Sequence, residues 1–271
     1  MKQKLIFLFC SFLFIEFCIS QNINSYEIKK LVQNGIAVLI GTPLKSYEVS
    51  SIVKENPYLV TIDGAGYEAY EISSFLNDGA KVIVGKTFQT YEIASFLNSK
   101  KGSVVVIAQD FETYEVTSFL KKGAKIIVGN SFQTYEISSF LTTNSTAVTI
   151  IAHGFQAYEV TSFLNAGAKI MVGKPFETYE ILSFLKTNNT AVSVLTDGYE
   201  AYEVTSFLKN GAAVFVGKQF QTYEISSFIK NYSSAVTVFE AGYEVYELQS
   251  FINGGAKIIF SGNKHINNII F

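Results

Sequence analysis

The sequence contains no arginine, and all 21 of its basic residues are lysines, set against 23 acidic residues. Recognition of phosphate groups and nucleic acids relies on the bidentate guanidinium group and on net positive charge. This chain has neither the guanidinium groups nor a basic surplus, so we expect no nucleic-acid partner.

Cysteine and histidine are equally scarce. Cys10 and Cys18 lie close to the amino terminus, which excludes disulfides, thiolate catalysis and cysteine metal sites from the rest of the chain. His153 and His265 are too few for a histidine metal cluster or a Ser-His-Asp arrangement. The recurring glutamates all share one environment, whereas a catalytic carboxylate pair needs two different environments. We therefore expect no enzyme, no metal and no cofactor.

Residues 1–20 have the pattern of a signal peptide. Two lysines precede the apolar run 5–15, and small residues follow at 18–20. The alternative, a membrane anchor, is disfavoured because the run is short and Glu16 interrupts it. We predict cleavage near Gln21, no stable membrane insertion afterwards, and a secreted protein that is extracellular or lies in the cell envelope, in the periplasm if the cell is Gram-negative.

A Tyr-Glu pair recurs along the remaining chain at spacings that alternate between 21 and 23 residues. The pairs begin at Tyr26, Tyr47, Tyr70, Tyr91, Tyr114, Tyr135, Tyr158, Tyr179, Tyr202, Tyr223 and Tyr246. A fixed period of this kind is the signature of a repeat protein. The sequence thus predicts about eleven units, paired into a 44-residue double repeat.

Each unit combines a helical pattern with a strand pattern. In YEVTSFLKKG, residues Val116, Phe119 and Leu120 follow the i, i+3, i+4 spacing of one helix face, and Gly123 stands where a helix ends. A short run rich in Val and Ile begins at Ala124 and is typical of a buried strand. The alternative, that YEVTSF is itself a strand, is disfavoured by the glycine and by the helical triplet.

A helix between successive strands requires parallel pairing with right-handed crossovers. We therefore predict a right-handed α/β solenoid, a horseshoe with a parallel sheet, as a single repeat domain over residues 21–262. The alternative is a closed βα barrel or toroid, because the strands are apolar on both faces. Residues 263–271 form an apolar tail or cap in this prediction.

Most residues around the recurring Tyr-Glu pair have a predicted structural role. The residue before each Tyr stands at a helix cap, the Glu suits the positive end of the helix dipole, and a Phe three residues before the Tyr suits a hydrophobic staple. For the tyrosine we expect packing against the next unit, with an exposed ladder that contacts a ligand as the alternative. The candidate row includes Tyr91, Tyr114, Tyr135, Tyr158 and Tyr179.

Charged residues follow the predicted strands, at the sheet edge where α/β proteins usually place ligands. The shorter units carry Lys86, Lys174 and Lys218, and the longer units carry Asp110, His153, Asp197 and Glu240. We interpret them as solvated loop charges, and the alternative is a pair of charged rows that suit a polymer.

These observations predict an exported, non-catalytic repeat protein with a binding or adhesion surface for a protein or a glycan. The alternative function is a self-assembling structural protein, a filament or surface layer, that stacks end to end through its apolar tail.

Overall fold

The structure is a computed structural model, and it describes residues 25–35, 38–42, 44–100, 102–239 and 242–259. The predicted signal peptide 1–20, the predicted tail 263–271 and Glu240 lie outside the described residues.

Helices and strands alternate along the whole described chain. The helices are α1 Ser25–Gln33, α2 Ser46–Val53, α3 Ala69–Asn77, α4 Thr90–Ser99, α5 Thr113–Lys121, α6 Thr134–Asn144, α7 Ala157–Asn165, α8 Thr178–Asn188, α9 Ala201–Lys209, α10 Thr222–Tyr232 and α11 Val245–Asn253. The strands are β1 Val38–Ile40, β2 Val60–Asp63, β3 Lys81–Val84, β4 Val104–Ile107, β5 Lys125–Val128, β6 Val148–Ile151, β7 Lys169–Val172, β8 Val192–Leu195, β9 Ala213–Val216, β10 Val236–Phe239 and β11 Lys257–Ile259.

The strands form one parallel sheet whose order follows the sequence from β1 to β11. Each helix packs against the helices before and after it in the chain, so the helices form one layer on one face of the sheet. The prediction of an α/β repeat fold with a parallel sheet is confirmed. Among the described strands, β1 and β11 remain unpaired with each other, so the sheet is not closed.

The apolar triplet of each helix faces the sheet, and a glycine ends the helix in the shorter units. Val116, Phe119 and Leu120 are buried, as predicted. Gly123 adopts a φ of 89°, its N–H donates to the carbonyl of Leu120 at 2.9 Å, and the N–H of Ala124 donates to the carbonyl of Phe119 at 3.0 Å. This is the Schellman arrangement, in which a residue with positive φ satisfies the last free carbonyls of the helix.

The alternation of 21 and 23 residues comes from two kinds of helix ending. Helix α5 has nine residues and ends at its glycine, whereas α6 has eleven residues and continues into the 3-10 turn Ser145–Ala147 before β6 begins. In the longer unit, the extended helix and its 3-10 turn take the place of the glycine that ends the shorter helix. In both kinds of unit, the strand that follows pairs with its neighbour in the same register.

The sheet has two different faces. Because side chains alternate along a strand, Val82 and Val84 of β3 share one face, and Lys81 and Ile83 share the other. The valine face is wholly apolar and buried in every four-residue strand, so it is the face that the helices cover. The opposite face is also largely removed from solvent, since Ile83 is 1% exposed. It combines a buried apolar layer with the half-buried lysines that begin alternate strands.

Candidate binding surfaces

The tyrosine of each of the eleven repeat-spaced Tyr-Glu pairs lies in the first turn of its helix with its ring in solvent. The exposed fraction is 72% for Tyr91 and 74% for Tyr114, Tyr135 and Tyr158. The prediction that these rings pack against the next unit is wrong, and the alternative of an exposed ladder describes the structure. The tyrosine row consists of Tyr26, Tyr47, Tyr70, Tyr91, Tyr114, Tyr135, Tyr158, Tyr179, Tyr202, Tyr223 and Tyr246, which are 63–75% exposed.

The glutamate that follows each tyrosine caps its own helix. In α4 the backbone N–H of Gln89 donates to Oε2 of Glu92 at 2.8 Å. The same bond recurs in α5, where the N–H of Glu112 donates to Glu115. It satisfies a backbone donor that no helical carbonyl can reach and places a negative charge at the positive end of the helix dipole. The predicted role of these glutamates is therefore confirmed.

The same glutamate also joins neighbouring units. The hydroxyl of Ser25 donates to Oε1 of Glu48, one unit later, at 2.9 Å. The other pairs of this kind are Ser46 with Glu71, Thr90 with Glu115, Thr113 with Glu136, Thr134 with Glu159, Thr178 with Glu203, and Thr222 with Glu247. Ala69, Ala157 and Ala201 occupy the donor position opposite the remaining glutamates, Glu92, Glu180 and Glu224, and have no hydroxyl. The residues on either side of each tyrosine thus bind the helix starts to one another.

These contacts favour the ionised form of Glu48 and Glu203. The Thr178 hydroxyl, together with the backbone N–H of Glu200, keeps the pKa of Glu203 below its ordinary value, although partial burial acts in the opposite direction. The backbone N–H of Lys45, followed by the hydroxyl of Ser25, lowers the pKa of Glu48 in the same way. An anionic carboxylate accepts these hydrogen bonds best, so the glutamates serve the scaffold.

An aromatic residue before each of the helices α3 to α11 packs edge to face against a phenylalanine inside that helix. The rings of Phe111 and Phe119 lie 5.2 Å apart at an interplanar angle of 89°. In three units tyrosine replaces the first phenylalanine, as in Tyr199, whose hydroxyl donates to the carbonyl of Phe176 at 2.6 Å. Burial raises the pKa of Tyr199. The predicted staple is present, and these buried tyrosines differ in role from the tyrosine row.

Planar polar side chains accompany the tyrosine row. The helix N-cap is the residue two positions before each row tyrosine, one residue earlier than predicted, and it is exposed in each of the following units. The N-caps are Lys45, Glu68, Gln89, Glu112, Gln133, Gln156, Glu177, Glu200, Gln221 and Glu244. The row therefore presents aromatic rings beside amide and carboxylate groups, with a single lysine among these caps.

The predicted loop lysines pack onto the next unit. The ammonium group of Lys86 lies 4.4 Å from the ring centroid of Phe111 and 3.4 Å from Oε2 of Glu115. Lys174 and Lys218 lie 4.3 Å from the ring centroids of Tyr199 and Tyr243, and Lys218 lies 3.6 Å from Oε2 of Glu247. These lysines are partly exposed, and their contacts give them a structural role between units.

The loop charges of the longer units, which we interpreted as solvated, do not all stand at equivalent positions. Asp110 stands three residues after Ile107, the last residue of β4, whereas His153 and Asp197 stand two residues after the ends of β6 and β8. All three are exposed, but they occupy different positions in the turn. Within the described ranges, no group of three or more His, Cys, Asp or Glu side chains could hold a metal ion.

The sequence reasoning missed a second set of lysines inside the fold. Lys81, Lys125, Lys169 and Lys257 each begin an odd-numbered strand and are half-buried. The sequence does carry a signal for them, because Gly-Ala-Lys recurs at multiples of 44 residues and places a charge at the start of an apolar run. Burial of a charged group costs free energy, so the strand propensity of lysine does not by itself account for a half-buried lysine at the first position of a strand.

In the described part of the chain, no helix combines the length and the apolar character needed to cross a bilayer.

Neither a known protein family nor any curated protein matches this sequence. Several solved structures resemble it at low identity. A putative lyase/mutase from Burkholderia cenocepacia J2315 has 11% identity and a TM-score of 0.37, with coverage of 88% of this chain and 82% of its own. A putative phosphonomutase from the same organism has 13% identity and a TM-score of 0.34, covering 80% and 92%. Tryptophan synthase from M. tuberculosis has 9% identity and a TM-score of 0.35, covering 91% and 97%.

These neighbours are enzymes, and they contradict the prediction of a non-catalytic binding or adhesion protein together with its alternative, a self-assembling structural protein. We therefore withdraw that prediction and the statement that the chain is not an enzyme. The likeness carries no activity, substrate or active-site residue to this chain, because every one of these TM-scores lies below 0.5.

Proposed function

We propose that the tyrosine row binds a linear, uncharged glycan laid across the starts of the helices. One observation carries the proposal: Tyr91 and its equivalents keep their rings in solvent in every unit, while the residues on either side have structural contacts. An exposed ring adds little to the free energy of unfolding, so stability does not account for eleven such tyrosines.

The chemistry of the row suits a sugar chain. The flat face of a tyrosine packs against the C–H face of a pyranose ring, and its hydroxyl remains available for hydrogen bonds. The exposed N-caps, such as Gln133 and Gln156, add amide groups that both donate and accept. Packed helices lie about 8–10 Å apart, so the rings repeat at a similar distance and a polymer can contact several of them at once.

The charge of the surface favours an uncharged polymer. Five of the ten N-caps beside the row are glutamates, among them Glu112, Glu177 and Glu200, and only Lys45 is basic. Carboxylates on this surface repel phosphate and carboxylate groups, which disfavours nucleic acids and acidic polysaccharides. The proposal concerns this surface and its ligand, and it assigns neither an adhesion role nor an absence of catalysis.

The test is affinity electrophoresis of the full chain in gels that contain hydroxyethylcellulose, glucomannan, xylan or dextran. We expect at least one polysaccharide to retard the protein, and the triple variant Tyr114→Ala, Tyr135→Ala, Tyr158→Ala to lose that retardation. Tyr58→Ala is the matched control, because Tyr58 is 80% exposed and lies outside the tyrosine row.

Thermal unfolding of the triple variant separates binding from folding. We expect the melting temperature to stay within a few degrees of the wild type, because these rings have little buried surface. A large drop in melting temperature would assign the row a packing role and end the proposal. Retardation by none of the four polysaccharides would also contradict it, as would retention of binding by the triple variant.

A further inference from the structure

Lysines and hydroxyl groups alternate across the face of the sheet that the helices leave uncovered. Lys81 of β3 stands in register with Thr61 of β2, and Lys169 of β7 stands in register with Thr149 of β6. The pattern returns at the far end of the sheet. The inner lysine row consists of Lys81, Lys125, Lys169 and Lys257, with Thr61, Val105, Thr149 and Thr237 as the respective partners in register.

The placement of these side chains follows from the strand geometry. Residues in register on neighbouring strands point to the same face, and alternate strands are about 10 Å apart, twice the spacing of neighbouring strands. Lys81, Lys125 and Lys169 begin three alternate strands, so their side chains extend in parallel from the same end of the same face. A lysine side chain is long and flexible enough for neighbouring ammonium groups in such a row to approach one ligand.

The electrostatics of the row agree with this geometry. Burial, followed by the positive charge of Lys125, holds the pKa of Lys81 below its ordinary value. Burial and the charge of Lys169 lower the pKa of Lys125 in the same way. The fold thus gathers like charges in a half-buried place, where an anion would be attracted to them.

A buried hydroxyl beside the row gives an independent observation. Thr61 is completely removed from solvent, and among the described residues its Oγ1 has no hydrogen-bond partner. A buried hydroxyl without a partner costs about 1–3 kcal/mol. Because Thr61 stands beside Lys81 on the same face, a ligand that is bound by the lysine would be within reach of this hydroxyl.

We propose that the inner lysine row is a binding site for an oxyanion, a phosphate or carboxylate group of a small molecule. The ammonium groups of neighbouring members of the row, such as Lys81 and Lys125, supply the positive charge, and a threonine hydroxyl in register, such as that of Thr61, donates a hydrogen bond. Without arginine the site has no planar guanidinium group to bind an oxyanion through two parallel hydrogen bonds. The compact ammonium groups of the lysines bind the oxyanion instead. This site lies at the amino ends of the strands and is independent of the tyrosine row.

The test measures binding of inorganic phosphate and of citrate to the full chain by isothermal titration calorimetry, with sodium chloride at equal ionic strength as the reference. We expect saturable binding of at least one of the two anions and none of chloride. Lys125→Met keeps the length of the side chain and removes its charge, and we expect it to weaken the affinity about tenfold or more. Lys121→Met is the matched control, because Lys121 lies on the exposed surface of α5, four residues earlier.

A second measurement needs no variant and applies even if Lys125→Met fails to fold. In wild-type protein labelled with ¹³C-lysine, the Cε resonances of the inner lysine row should move on addition of the anion, while that of Lys121 should stay. Comparison of phosphate with citrate identifies which oxyanion the site prefers. Absence of any saturable effect beyond that of chloride, or full affinity in Lys125→Met, would overturn the proposal.

Discussion

The hydroxyl of Thr178 donates a hydrogen bond to Oε1 of Glu203, in the first turn of the following helix. The other carboxylate oxygen of Glu203 accepts the backbone N–H of Glu200, which caps the helix of Glu203 itself. One carboxylate therefore caps the start of one helix and ties it to the previous helix. This double role explains why Thr and Glu recur around a tyrosine that itself makes no comparable contact.

The alanines at the donor position give a direct test of this bond. Replacement of Ala157 by Thr places a hydroxyl where Glu180 can accept it, and we expect the free energy of unfolding to rise by about 0.5–1.5 kcal/mol. Ala157→Val is the matched control, because it adds the same bulk without the hydroxyl. Urea unfolding of the two variants measures the difference, and equal stabilities would show that the inter-unit bond has no net effect.

The lowered pKa of Glu203 predicts how stability depends on pH. A carboxyl group whose pKa is lower in the folded than in the unfolded state stabilises the fold above the unfolded value of about 4.3, and this contribution is lost as the pH falls through the folded value. We therefore expect the free energy of unfolding to decrease as the pH falls below about 4.3.

Replacement of Thr178 tests the origin of this decrease at low pH. The hydroxyl of Thr178 is the largest cause of the lowered pKa of Glu203, so Thr178→Val should flatten the decrease. Denaturant unfolding between pH 7 and pH 3 measures it. An unchanged acid dependence in Thr178→Val would contradict the link between this bond and the pH dependence.

Two tyrosines in one unit should respond differently to loss of the hydroxyl. The Tyr199 hydroxyl donates to a buried carbonyl, so Tyr199→Phe should lower the free energy of unfolding by about 0.5–1.5 kcal/mol. Tyr202→Phe removes an exposed hydroxyl and should leave stability unchanged within about 0.5 kcal/mol. Thermal or urea unfolding of both variants provides the measurement, and equal effects would contradict the assigned environments.

Phe119 of α5 allows the contribution of a buried ring to the free energy of unfolding to be compared with that of an exposed ring in the same helix. It is completely buried and packs edge to face on Phe111, so Phe119→Ala should cost about 3–5 kcal/mol. Tyr114→Ala, in the same helix, should change the stability by no more than about 0.5 kcal/mol. Urea midpoints of the two variants distinguish the faces of this helix, and a comparable loss from both would show that Tyr114 is packed.

Much of the fold could be predicted because its signals are local. The triplet Val116, Phe119 and Leu120 follows the period of a helix, Gly123 supplies the positive φ of a helix stop, and both recur at a fixed spacing. Helices between short apolar strands leave parallel pairing as the available topology. For this reason the repeat, the order of the elements and the parallel sheet could be derived from the residues alone.

The environment of each side chain depends on the neighbouring unit, so it becomes apparent only in the folded protein. The sequence suggested packing for Tyr114, but the structure leaves its ring in solvent and directs the adjacent Thr113 towards Glu136 instead. It also placed Lys81 and Lys125 on one inner face, which the residue pattern of a single strand cannot reveal. The local periodicity of a helix or strand determines which residues share one face. The packing of neighbouring units against one another determines whether that face contacts other residues or solvent.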